Sequence, residues 1–161
     1  MYVRPLTKEI EKKAREELNE KPDQREECVR HIRTWIAKEY QLKFRSDGLW
    51  LLNFIRGCKF STQRVKEKFE TYLNLKVTAP EIFTHRDPLL AEVQEILNRG
   101  PIIPFGTPDK ECVLIRWNVL DPDKMIFYDF MKIALMVLDV YMNESDTCMA
   151  VGHYAIIDFS G

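Results

Sequence analysis

Residues 47–61 read DGLWLLNFIRGCKFS, and this stretch decides the fold of the first half of the chain. Asp47 is a helix-capping residue type, able to accept a hydrogen bond from an orphaned backbone N–H. Leu49, Leu52 and Ile55 then recur at helical spacing, and Leu51 and Phe54 widen the apolar stripe. Gly57 is expected to take the left-handed conformation that ends such a helix. Ser61 is expected to cap the next one, whose apolar face is Val65, Phe69, Tyr72 and Leu73. The result is a tight helical corner with a basic rim, Arg56 and Lys59. That rim serves either solubility or contact with an anionic surface.

Working outward, the flanks are also helical. Thr7 to Glu20 carries a thin apolar stripe of Ile10, Ala14 and Leu18. Asp23 and Glu26 form a capping-box pattern before a second helix with Val29, Ile32 and Ile36 on its buried side. Tyr40 to Arg45 reads as a connector. Pro80 falls at or just past the end of the helix that Ser61 opens. Asp87 to Asn98 is a further short helix stopped by Gly100.

The pattern then changes. Ile102 to Phe105 and Cys112 to Val119 read as strands joined by the turn residues Gly106 to Asp109. Val113, Ile115 and Trp117 alternate with Leu114, Arg116 and Asn118, which places them on opposite faces. Asp121 and Pro122 open a long helix, with Met131, Ala134, Leu135 and Leu138 on one apolar face. Tyr154 to Phe159 is a short buried strand. Strand, long helix, strand implies a crossover and a parallel pair. The fold class is therefore α/β, mixed and helix-rich. An all-helical domain spans residues 1–85, and the first portion of an α/β domain with a partly parallel sheet spans 86–161. So small a sheet leaves an open apolar edge, so the rest of the α/β domain is expected to be missing.

Composition narrows the function. The chain has 161 residues, 45% hydrophobic content and a formal net charge of −1. Bulk charge therefore predicts no nucleic-acid partner. The four cysteines are widely separated, with no C-x-x-C pair and no histidine at ligand spacing, so no metal is expected. The N-terminus lacks an apolar signal segment, and free thiols in a reducing cytosol follow. Phosphate-loop, dinucleotide and nucleophile-elbow patterns are absent. His31, His85 and His153 sit in unrelated contexts. No enzymatic activity and no cofactor are expected.

Three segments in register resemble the CRAL-TRIO (Sec14-like) lipid-binding family, in its tocopherol- and retinaldehyde-binding branch. They are LLNFIRGCKFS (Leu51 to Ser61), LIRWNVLDPDKMIFYDFMKIALMVLD (Leu114 to Asp139) and HYAIIDFSG (His153 to Gly161). The resemblance implies a helical domain followed by an α/β domain that encloses one hydrophobic ligand, here roughly half built. It implies a non-enzymatic intracellular carrier of a tocopherol, a retinoid or a phospholipid between membranes. Such a protein is cytoplasmic, touches membranes transiently and is monomeric when full length. The alternative is a membrane- or phosphoinositide-docking module without a transferred ligand. By resemblance, Ile115, Met131, Ala134, Leu138 and His153 fall at or near ligand-lining positions. The strand faces add Trp117, Ala155 and Ile157 to one wall. All of these also suit a plain core. Arg56 matches a basic position that some family members turn to phosphoinositide headgroups, with Lys59 beside it. Cys58 and Asn53 replace arginines of that pattern, which shifts or weakens the headgroup site.

Overall fold

The computed structural model describes residues 4–40, 47–107, 110–120 and 127–160. Residues 41–45 of the connector, Pro108 and Asp109 of the turn, and the Asp121–Pro122 helix start lie outside the described residues. The fold is helix-rich with a three-stranded, partly parallel sheet, as the sequence predicts. The chain forms two compact units that interleave along the sequence. One comprises Met1–Tyr72 with Tyr141–Gly152, the other Leu73–Val140 with His153–Gly161.

The first unit is helical. Helix α1 (Lys8–Leu18) is capped by Thr7, whose hydroxyl accepts from the Ile10 N–H, and it buries Ile10 and Ala14. Helix α2 (Arg25–Tyr40) buries Val29, Ile32 and Ile36. It opens through a 3-10 turn, Pro22–Gln24, rather than from an Asp23 cap. Pro22 at the head of that turn supplies the fixed φ that a cap would otherwise help to set.

Helix α3 (Gly48–Gly57) starts as expected: the Asp47 carboxylate accepts from the Trp50 N–H at 2.9 Å. Its end differs. Gly57 remains helical, and the left-handed residues are Lys59 (φ +53°) and Phe60 (φ +56°). The backbone closes tightly there: the Cys58 and Phe60 N–H groups both reach the Ile55 carbonyl, at 3.0 and 3.1 Å. Those bonds satisfy helix-end acceptors and offset the strain of two left-handed side-chain-bearing residues.

Helix α4 (Thr62–Thr78) follows Ser61, whose hydroxyl accepts from the Arg64 N–H, and buries Val65 and Phe69. Phe69 is the centre of an aromatic cluster. Its ring lies 5.8 Å from Trp35, 5.7 Å from Tyr40 and 6.1 Å from Phe54. A short helix that the sequence reading did not anticipate, α8 (Asp146–Val151), packs Ala150 against Ile10 and Ala14 of α1. Ser145 caps it by accepting from the Cys148 N–H at 2.9 Å.

The second unit holds α5 (Pro80–Phe83), α6 (Ala91–Arg99), the sheet and most of α7 (Phe127–Glu144). Helix α6 begins later than expected because Asp87 folds back on its own backbone, accepting from the Leu89 N–H. Such a side-chain turn competes with helix start. Strands β1 (Ile102–Thr107) and β2 (Lys110–Arg116) pair antiparallel, from Ile102↔Ile115 to Thr107↔Lys110. A Cβ at Gly106 (φ +150°) would stand 2.2 Å from the Lys110 carbonyl oxygen, so the hairpin needs glycine there. Strand β3 (His153–Asp158) pairs parallel to β2, from Glu111↔His153 to Arg116↔Asp158. Among the described residues no helix is long and apolar enough to cross a membrane.

Candidate functional site

The register sorts the strand residues by face. Residues opposite one another in a ladder point the same way, and neighbours along a strand point oppositely. Val113 and Ile115 therefore share a face with Ala155 and Ile157, their partners on β3, and with His153 opposite Glu111. Trp117 continues this row beyond the end of β2, its N–H donating to the Asp158 carbonyl at 3.0 Å. Helix α7 covers this end of the face: the Trp117 and Phe130 rings lie 4.4 Å apart. Val113 is buried and Ile115 half-buried, whereas His153, Ala155 and Ile157 on the outer strand are exposed.

On α7, Met131, Ala134 and Leu138 fall within an arc of about 60° at the helical repeat. Ala134 lies one turn beyond Phe130. These three are not the helix's most buried residues. Phe130 and Ile133 are, at 6% and 1% exposure, while Met131 and Ala134 are half-buried and Leu138 is exposed. Two crevices run along the opposite side of α7. One, of about 200 Å³, lies against α6 and is lined by Val93, Ile96 and Ile133 with His85, Arg99 and Lys132 among its polar groups. The other, of about 500 Å³, is lined by Phe83, Leu97, Met136, Val137 and the Arg86–Asp139 ion pair. None of the eight residues expected to line a ligand site borders either crevice.

The other face of the sheet is apolar too. Ile103, Leu114 and Ile156 form one cross-strand row, and Phe105, Cys112 and Tyr154 the next. Tyr154 is 68% and Ile156 52% exposed. At the end of β3, Asp158 accepts from the Ser160 N–H at 2.9 Å and from its hydroxyl, and these bonds hold its carboxyl below the ordinary value. The acid of the terminal motif thus binds the chain that leaves the strand.

The basic rim needs correction. Lys59 is exposed, but Arg56 is completely buried. Arg56 donates through Nε and one terminal nitrogen to both oxygens of Glu20, at 3.0 and 2.9 Å. Its other terminal nitrogen donates to Asn53 at 2.9 Å and to Asp146 at 2.5 Å. Arg25 adds a 2.6 Å bond to Glu20, and Arg4 stands 3.8 Å from Asp146. Glu20, Asn53 and Asp146 are each at most 3% exposed. Burial alone would push the Glu20 carboxyl up; the hydrogen bonds and charges of Arg56 and Arg25 outweigh it and hold the group below its ordinary value. The sequence reading missed this cluster because its members lie 36 and 90 residues apart. One local signal existed: Asn53 and Arg56, three apart, sit in the most apolar helix of the unit, where neither has a free face to point from.

Residues 21–93 match the family described as Pinta-like, UBA domain. Along nearly its whole length the chain is similar to proteins named alpha-tocopherol transfer protein-like. The Mus musculus protein is 34% identical over 164 residues, which cover 99% of this chain and 47% of that protein. Those of Pongo abelii and Homo sapiens are 32% identical over 165 residues, with the same coverage. The chain therefore spans about half the length of the curated relatives it matches.

Proposed function

We propose that this chain, a relative of the alpha-tocopherol transfer protein-like proteins over 99% of its length, supplies one wall of a site that shelters a hydrophobic small molecule and carries it, without chemistry, between membranes. The observation that carries the reading is the shared apolar face of β2 and β3. Val113, Ile115, Trp117, Ala155 and Ile157 stand side by side there, with His153 and Glu111 at its polar end. In this reading the Met131–Ala134–Leu138 arc of α7 supplies a second wall, and the Trp117–Phe130 contact, which brings α7 to the end of this face, supports it. Few polar groups on a broad apolar wall are what a lipophilic guest requires. Burying about 300 Å² of such a guest contributes roughly 7–8 kcal/mol before the entropy of association is subtracted. A tocopherol, a retinoid and a phospholipid all satisfy this chemistry, and a polar end made by His153 and Glu111 suits the hydroxyl or carbonyl end of the first two.

Titration with a fluorescent tocopherol or retinoid analogue tests the reading, with Trp117 as an internal reporter on the wall. Saturable one-to-one binding is expected. Ala134→Phe should weaken bulky guests, and Leu138→Ala should shift preference toward larger ones. No binding across a broad lipid panel would overturn the proposal. Arg56 has no role in headgroup contact in this reading, because its guanidinium is buried and fully engaged. Lys59 remains the candidate contact, and vesicle binding unchanged in Lys59→Ala would remove it.

A further inference from the structure

The Arg56 cluster is not used by the ligand wall, and it does more than fill space. We propose that it is a latch: the Arg56–Asp146 pair holds α8 on the helical unit, and its loss lets α8 open while α2, α3 and α4 stay packed.

The argument rests on how differently the elements are attached. Helices α2, α3 and α4 share large buried side chains, including Ile32, Leu51, Leu52 and Phe69. Helix α8 is six residues long; its buried apolar residues are Cys148 and Ala150, and Ala150 packs against Ile10 and Ala14 with Val151, Leu6 and Leu18 partly buried around them. Cys148, Ala150 and Val151 are small side chains, so α8 itself brings little apolar area to this contact. What remains is Asp146, at 3% exposure, with one oxygen on Arg56 and the other buried without a hydrogen-bond partner. Arg4 approaches it at 3.8 Å and is itself shared with the Asn143 carbonyl and Glu144. Glu20, by contrast, keeps Arg25 if Arg56 lets go. The charges are therefore arranged so that Asp146 depends on Arg56 and Glu20 does not depend on Asp146. A buried ion pair adds little net stability but makes one arrangement strongly preferred, and removing one partner leaves an uncompensated buried group. Where such a pair is the main attachment of a short element, that element opens below the global unfolding limit.

The protein carries its own reporters. Cys148 lies in α8 and Cys58 follows α3, neither in a disulfide and both 4% exposed. Thiol labelling with a dipyridyl disulfide, read peptide by peptide by mass spectrometry, follows each site separately. In Asp146→Asn, Cys148 should label faster by about tenfold or more while Cys58 keeps its original rate. Equal acceleration of both thiols would make the cluster part of global stability and overturn the latch. Unchanged labelling of Cys148 would overturn it as well. Should Asp146→Asn fail to fold, Arg4→Ala, at the half-exposed edge of the cluster, should give a smaller acceleration at Cys148 alone, and its absence would count equally against the proposal. These outcomes do not depend on whether a lipid binds.

Discussion

The two units treat apolar side chains in opposite ways. In the helical unit, Trp50, Leu51, Leu52 and Ile55 of α3 are all at most 3% exposed, and even its arginine and asparagine are covered. In the sheet unit, no residue of β3 is buried, and Tyr154, Ile156 and Ile157 stand between 47% and 68% exposed. The sequences of the two stretches are similarly apolar, so hydrophobicity does not distinguish them. The difference lies in what covers them: α2, α4 and α8 pack on α3, whereas among the described residues β3 pairs with β2 alone. Apolar surface matched by its own chain is committed to stability. Apolar surface left unmatched is available to a guest or to another strand.

Substitutions should separate these roles. The largest effect is expected at Arg56. Arg56→Met leaves Asp146 buried without its main cation and Glu20 with Arg25 alone, and should destabilise the helical unit by about 3–5 kcal/mol. Denaturant unfolding followed by tryptophan fluorescence measures it, since Trp35 and Trp50 report on this unit. A loss below 1 kcal/mol, on the order of a surface pair, would erase the contrast. Phe69→Ala, at the centre of the aromatic cluster, should cost about 3–5 kcal/mol.

Acid sharpens the first of these. Because the folded-state pKa of Glu20 lies below its ordinary value of 4.5, its stabilisation is fully present above that value. It is lost as the pH falls through the lower, folded-state value. The melting temperature of the helical unit should therefore drop on acidification below about pH 4.5, and less steeply in Glu20→Gln. An identical acid limb in both proteins would exclude Glu20 as a contributor. Asp47→Ala, which removes the α3 cap, should cost about 1 kcal/mol in the same assay. Smallest of all, Ile156→Thr on the uncovered sheet face should change stability by no more than about 0.5 kcal/mol, yet reduce self-association in sedimentation. A core-sized loss there would mean that the face is already committed.

Much of the fold was legible along the chain. Asp47 and Ser61 cap the helices they were expected to cap, because a cap is a contact over three residues. The parallel β2–β3 pair followed from a crossover long enough to hold a helix. Helix α8 escaped notice because six residues carry too little periodicity to read. The candidate wall was legible only in part. Alternation placed Val113, Ile115 and Trp117 on one face, but it could not say which arc of α7 would be buried. That depended on Phe130 meeting Trp117 and on Ile133 lining the crevice against α6.

Local chemistry, then, was enough to set where α3 and α4 begin, where strands alternate and how the crossover runs, since each depends on neighbours a few residues apart. Tertiary structure alone decided the fate of Arg56. Its partners come from the end of α1 and the start of α8, and only their convergence turns a residue expected at a solvated rim into the buried charge on which the helical unit closes.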